Sequence, residues 1–258
     1  RIADMSKIVT ICNEFDLTLV EDCAHTMGAG WNGRLTGMFG AAGCFSTQSF
    51  KHINSGEGGL LVTQDPDIAA QAILYSGSYM LYHQHGARPD DSVFERWRSK
   101  IPNFSMRMSN HAAAMLRPQI PLLVQRAKKW NALYEELENR LENIPGIQLP
   151  NRPKAEEFIG SSIQFSLKGL TVSQVSAFLT TCEQRGVFLK WFGNRDAAGF
   201  TSTHEHWKFM ANSPEVPNTD DVLESLVDMR IPLSAVKTEM AAIGDVITST
   251  FSEVRTAN

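Results

Sequence analysis

Two segments of this chain carry residue types that can do chemistry together. The first is a strand-like run, Leu17-Thr18-Leu19-Val20-Glu21-Asp22, which ends on a carboxylate and is followed by Cys23-Ala24-His25-Thr26-Met27-Gly28-Ala29. The second is Cys44-Phe45-Ser46-Thr47-Gln48-Ser49-Phe50-Lys51, followed shortly by Gly56-Glu57-Gly58-Gly59. A carboxylate on one segment, with a hydroxyl and a lysine on another, is the set of groups that holds pyridoxal phosphate. The aspartate pairs with the ring nitrogen, the hydroxyl with the phosphate and the lysine amine with the aldehyde.

Each residue also has a plainer reading. Lys51 can form a Schiff base only if its amine becomes neutral, which needs a desolvated or cation-rich pocket. Alone it would read as a surface lysine. Asp22 ends an apolar strand, where ligands of parallel sheets collect, and can keep a pyridine nitrogen protonated. Alone it would read as a cap on the next turn. Ser46, five residues before Lys51, can reach a phosphate, and Thr47 and Ser49 compete for that role. His25, three residues after Asp22, can meet a phenolic oxygen or be satisfied within its own turn.

Other motifs carry less. Gly28-Ala29-Gly30-Trp31-Asn32-Gly33 spells GxGxxG, but Cys23–Met27 intervenes after the strand and Gly37 and Gly40 add further turn formers. A dinucleotide site needs a strand directly before the glycines and a helix starting within them. These glycines are therefore expected to make turns. His83-Gln84-His85 and His204-Glu205-His206 place two rings near one another but lack a third ligand at useful spacing, so no metal is expected.

The 258 residues allow one large domain or two ordinary ones, with 43% hydrophobic and 20% charged residues. A net charge of -4 and a pI near 6.0 disfavour a nucleic-acid or membrane-surface binder. No apolar run approaches bilayer-spanning length and no signal-peptide pattern opens the chain. Cys12, Cys23, Cys44 and Cys182 are scattered in apolar contexts and read as reduced, buried thiols of a cytoplasmic protein. The chain opens at Arg1 rather than Met and goes directly into a helical pattern, as a protein entered partway along would.

Periodicity predicts the elements that must position the site. Residues 4–15 read as an amphipathic helix and 17–21 as a buried strand. Short strands are expected near 43–46 and 59–63, with a helix from Asp65-Pro66 to about Tyr75. Residues 77–104 have long-loop composition. Helical patterns follow at Met108–Leu116 and, beyond Pro118 and Pro121, on to Leu141. The remainder alternates: strand at Ile163–Leu167, helix at Val172–Arg185, strand at Val187–Phe192, then helices at Thr219–Leu226 and Ala235–Phe251. The expectation is an α/β chain. Residues 1–118 would form part of a large domain with a mostly parallel sheet, and 119–258 a linking helix with a smaller α+β domain.

Taken in order, these residues resemble the DegT family of PLP-dependent sugar aminotransferases, which have the aspartate aminotransferase fold. The matching stretches are Glu21-Asp22-Cys23-Ala24-His25, Gly28-Ala29 with Gly33, Gly37-Met38-Phe39-Gly40, Phe45-Ser46, Lys51, and Gly56-Glu57-Gly58-Gly59-Leu60-Leu61-Val62-Thr63. Arg107-Met108-Ser109-Asn110 with Ala112-Ala113 is similar to the family's Arg-Met-Ser/Thr stretch, and Leu226–Ser234 to its Leu-Pro-Leu segment.

The resemblance implies roles. Lys51 would carry pyridoxal phosphate as a Schiff base and shuttle protons. Asp22 would pair with the ring nitrogen, Ala24 pack on the ring face, His25 contact the phenolic oxygen and Ser46 bind the phosphate. Ser105 stands where the family usually has an asparagine that reaches the partner's phosphate. The implied reaction moves an amino group from glutamate to a keto-sugar, nucleotide-linked by analogy, in a homodimer. Arg88, Arg96, Arg98, Lys190 and Arg195 are candidate cations for a diphosphate or else solvated surface charge. The family's earlier segment, with a phosphate-binding helix start and a ring-stacking aromatic, has no counterpart here. A sugar dehydratase, which in the family carries histidine in place of the lysine, and an incomplete or non-catalytic subunit are the alternatives.

Overall fold

In the computed structural model, residues 1–78, 80–196, 204, 207–209 and 215–256 are described. The fold is mixed α/β. The chain divides into two compact units. One is Arg1–Ala127 with Pro153–Ile159, and the other is Lys128–Arg152 with Gly160–Asn258.

The first unit begins with α1 (Met5–Glu14), capped by Asp4, whose carboxylate accepts from Lys7 N at 3.1 Å. Its buried side brings Met5 together with Ile2, Ala29 and Trp31. The following strand starts later than its apolar run predicts. Leu17 N still bonds to Cys12 O, closing the helix, so β1 is only Val20–Asp22. It pairs in parallel with β4 (Ala42–Ser46), and β4 pairs antiparallel with β5 (Gly59–Val62), in the order β1-β4-β5. Among the described residues the sheet is therefore not mostly parallel. β4 and β5 are joined by the loop 47–58 rather than a crossover helix, and the chain returns beside β4 in the opposite direction.

The GxGxxG stretch makes a hairpin. β2 (Gly30–Trp31) and β3 (Arg34–Leu35) flank Asn32 and Gly33, both at positive φ (51° and 78°), as a tight Asn-Gly turn requires. β7 (Glu156–Glu157) adds to β2 from far along the sequence, and the Glu157 carboxylate accepts from Gly33 N at 2.7 Å. This pairing is why 153–159 belongs to the first unit, although those residues follow the expected 118/119 boundary.

Helix α2 (Pro66–Tyr75) is capped by Asp65 as expected. The expected long loop after it contains α3 (Asp91–Trp97), whose Phe94 is fully buried and stacks on Tyr82 with centroids 4.3 Å apart. His83 lies in a 3-10 turn, not a strand. Helix α4 (Asn110–Leu116) is capped by Ser109, and α5 (Leu123–Leu141) runs across the unit boundary.

In the second unit, β6 (Ile147–Gln148), β8 (Ser162–Leu167), β10 (Leu226–Arg230) and β9 (Lys190–Trp191) form an antiparallel sheet in the order β6-β8-β10-β9. Ile163, Phe165 and Leu167 alternate inward along β8. Phe178 of α6 (Val172–Gln184), Leu137 and Leu141 of α5, and Ile247 and Phe251 of α8 (Lys237–Thr256) are buried as well, and the Phe178 and Phe251 rings meet edge to face with centroids 6.3 Å apart. Helix α7 (Pro217–Ser225) leads into β10.

Two of the four cysteines depart from expectation. Cys12 is half-buried, and Cys44 is exposed. Register and the two-residue strand period put Cys44 on the same sheet face as Val20, Asp22 and Leu61, all of them exposed. No helix among the described residues is long and apolar enough to cross a membrane.

The β1–β4 pair depends on a close approach. A Cβ at Gly43 would overlap the Gly37 backbone. We expect Gly43→Ala to cost about 2 kcal/mol or more by overpacking against rigid backbone. Chemical denaturation measures it, and a loss under about 0.5 kcal/mol would show that the turn yields freely.

Candidate active site

The parallel register sets Asp22 beside Cys44, so β1 ends two residues before β4 does at Ser46. The carboxylate and the hydroxyl therefore leave the same end of the sheet, the carboxyl end of parallel strands, where α/β folds place ligands. Asp22 Oδ1 accepts from Ala24 N at 3.0 Å, and Ser46 Oγ accepts from Gln48 N at 3.2 Å. Each side chain thus caps the turn that follows it. Among the described residues, the second Asp22 oxygen takes no hydrogen bond, so the capping role leaves the carboxylate free to face a cation.

Glu21, one residue earlier, points the other way and is buried. Its carboxylate accepts three backbone N–H groups: Gly37 at 2.7 Å, Phe39 at 2.6 Å and Gly40 at 2.8 Å. Sequence reasoning passed over it as one letter of a motif. A glutamate inside an otherwise apolar strand was the available signal, because a buried carboxylate must find donors.

Lys51 sits on the β4–β5 loop, which is built internally. Thr47 N donates to Gly58 O and Ser49 N to Gly56 O, both at 2.9 Å. Thr47 is fully buried with its hydroxyl 3.0 Å from Ser55 Oγ, and Ser49 Oγ donates to Gly56 O at 3.1 Å. The two hydroxyls that compete with Ser46 are spent inside the loop.

The far side of the loop is clamped. Gln119 donates to Asn54 O at 2.7 Å and accepts from Asn54 N at 3.2 Å, mimicking a strand neighbour. Arg126 donates to Gln119 Oε1 at 3.0 Å and to His52 O at 3.3 Å. Ile53, 2% exposed, packs with Met27 and Leu116.

Side-chain hydrogen bonds also join the loop to the segment after Asp22. Lys51 Nζ lies 2.8 Å from His25 Nε2 in a hydrogen bond. His52 Nδ1 lies 3.0 Å from Met27 O, and because a carbonyl only accepts, Nδ1 carries the proton. Burial pushes the His52 pKa down. The Met27 carbonyl opposes this, and the neighbouring His25 and Lys51 charges add to it. The ring is thus held neutral. Burial likewise raises the Cys23 thiol, which stays protonated.

The remaining expected residues are not drawn into this cluster. Ser105, at φ +53°, donates its N–H to Asn103 Oδ1 at 2.8 Å and accepts from Arg107 at 3.4 Å. No contact among the described residues links it to Asp22, Ser46 or Lys51. Arg88 pairs with Asp91, Arg96 with Asp67 at 2.8 Å and Arg195 with Glu224 at 3.7 Å, while Lys190 lies 4.6 Å from the Phe192 ring centroid. His204 is 3.7 Å from Asp220; Glu205 and His206 lie outside the described residues.

The family pattern of the DegT/DnrJ/EryC1/StrS aminotransferases matches residues 1–245, and the chain belongs to that family. It is 32% identical over 143 residues to the L-glutamine:scyllo-inosose aminotransferase of Streptomyces griseus, covering 55% of this chain and 34% of that one. To the UDP-N-acetyl-3-dehydro-alpha-D-glucosamine 3-aminotransferase of Acidithiobacillus ferrooxidans it is 29% identical over 162 residues, covering 58% and 37%. The chain thus spans about a third of the length of these curated relatives. Among solved structures, Helicobacter pylori PseC, an aminotransferase of pseudoaminic acid biosynthesis, superposes with TM-score 0.79 at 14% identity, over 98% of this chain and 64% of that one. Spr1654 of Streptococcus pneumoniae, in its PLP form, gives TM-score 0.76 at 12% identity, over 98% and 66%. At these identities the likeness shows the fold.

The depressed His52 pKa has a consequence for stability. A histidine whose folded pKa lies below its unfolded value stabilises the fold above about pH 6.5, and that contribution is lost as pH falls through the unfolded and then the folded pKa. His52→Asn removes the titration. The stability gap between wild type and His52→Asn should therefore narrow as pH falls from 7.5 to 5, followed by urea midpoints across that range. A gap that stays constant, or widens, contradicts the assignment.

Proposed function

We propose that this chain carries the lysine side of a pyridoxal-phosphate-dependent aminotransferase site. The observation that carries this reading is the hydrogen bond between Lys51 Nζ and His25 Nε2, which brings the loop amine onto the turn that leaves Asp22. The donor set suits the cofactor: one carboxylate with an uncommitted oxygen and one hydroxyl at the same sheet end, and one amine on the next loop.

When bound, pyridoxal phosphate supplies an electron sink for the pair released at the substrate's Cα. Asp22 would hold the ring nitrogen, Ser46 the phosphate and His25 the phenolic oxygen. Ala24 would leave room for the ring face. Lys51 Nζ accepts and returns the substrate proton, with His25 Nε2 as the neighbouring base that shares it. Ser105 would serve a second copy of the chain in a cytoplasmic homodimer, its side chain standing outside its own cluster.

The acceptor in this reading is a ketone on a polyhydroxylated ring. The resemblance points to glutamate and a nucleotide-linked keto-sugar. The Streptomyces griseus relative is named for L-glutamine and an inosose, so L-glutamine and a free cyclitol ketone are the first pair to assay beside them. A dehydratase would need a histidine where Lys51 stands, and the adjacent His52 is buried against Met27.

Incubation with pyridoxal phosphate, borohydride reduction and peptide mapping tests the proposal. The adduct should fall on Lys51 and be absent from Lys51→Ala; an adduct on another lysine refutes the assignment. Asp22→Asn should keep the adduct and slow the half-reaction with the amino donor by about 100-fold or more, the scale of losing one preorganised electrostatic partner.

A further inference from the structure

Lys51 reaches the site on a long, flexible stem, and a stem with four rotatable carbons does not position its own backbone. Something else must set where that stem starts. The preceding residues bond within the loop itself: Ser49 to Gly56, and the N–H groups of Phe50 and Lys51 to Gln48. The following ones are held tightly. His52 is buried, Ile53 is 2% exposed, Arg126 holds the His52 carbonyl, and Gln119 holds both backbone groups of Asn54.

One of these residues ties the loop to the Asp22 segment by a directional bond. The His52 imidazole, short and stiff, donates to Met27 O at 3.0 Å. Consecutive residues 51 and 52 thus bond to residues 25 and 27 of the other segment. One bond is movable because its lysine must react. The other is fixed and inside the protein.

We propose that His52 is the positioning residue of the lysine loop: its bond to the Met27 carbonyl sets the register between Lys51 and the Asp22–His25 turn. The proposal rests on Lys51 being the reactive lysine, and it adds a residue that touches neither cofactor nor substrate.

Two substitutions in the full chain separate the donor from the ring. His52→Phe keeps an aromatic ring and loses the donor. His52→Asn keeps an N–H at the position of Nδ1 and loses the ring. Two readouts are followed, hydrogen exchange of the 51–55 amides without cofactor, and the fraction of Lys51 trapped by borohydride at subsaturating pyridoxal phosphate. His52→Phe should exchange about tenfold faster and trap about tenfold less, the scale of one buried carbonyl left unsatisfied. His52→Asn should return both to within about threefold of wild type. Wild-type exchange in His52→Phe, or no rescue by His52→Asn, overturns the proposal. If His52→Phe does not fold, Arg126→Met, which frees the carbonyl end of the same residue, should speed exchange of the same amides, and unchanged exchange there is also against it. If the wild type traps no adduct on Lys51, the aminotransferase reading fails, while the exchange comparison still decides the role of His52.

Discussion

Three backbone N–H groups converge on one buried carboxylate, that of Glu21, and the geometry of the strand ends rests on that convergence. Hydrogen bonds to a charged acceptor are worth roughly 1.5–3 kcal/mol each, and a buried carboxylate without donors would cost more than the strand pair could offset. The turn 37–40 is therefore locked onto β1. From there Gly37 lies close enough to β4 that position 43 has no room for a side chain. With the turn in place, β1 and β4 run side by side in a single register. Because side chains alternate along a strand, burying Glu21 presents Asp22 to the opposite face. The structural carboxylate and the chemical one are neighbours for that reason.

The loop that carries Lys51 shows the same separation between groups that hold and groups that are left available. Thr47, Ser49 and Ser55 close their hydroxyls on one another or on loop carbonyls. Gln119 and Arg126, from the α4–α5 turn and α5, fasten the loop's far side. Among the described residues, the sheet end presents the second Asp22 oxygen and the Ser46 hydroxyl, with the Lys51–His25 hydrogen bond beside them. A site that must bind and release a charged ligand benefits from this, because the scaffold does not have to rearrange when the ligand leaves.

Much of this was legible along the chain. Asp65 before Pro66 is a cap signal, and it begins a helix in the structure. The inward alternation of Ile163, Phe165 and Leu167 gave β8 its period. The strand-end carboxylate and the lysine loop stood out by residue type and order. Elements held by distant partners were not legible. β2 pairs with residues 156–157, and no local pattern announces a two-residue strand whose neighbour is so far away. Helix α3 hid in a segment rich in glycine, proline and aromatics because packing of Phe94 on Tyr82, not propensity, stabilises it. β5 read as an apolar strand, and only the loop return to β4 showed it to be antiparallel.

The sequence by itself determined which chemistry is on offer: a carboxylate closing an apolar strand, a hydroxyl, a lysine and glycine-rich turns, in an order that already resembled one family. Residue type and local period carry that information because they act over a few positions. The tertiary structure decided which of the candidates face the site. It withdrew Thr47 and Ser49 by engaging their hydroxyls, held Ser105 apart with Asn103 and Arg107, and turned Glu21 and His52 from bystanders into supports. Thr47, Ser49 and Ser105 are engaged by residues within eight positions, whereas the bonds that make supports of Glu21 and His52 join residues 16 to 25 positions apart. The latter form only when the whole unit has folded, so no window of sequence contains them.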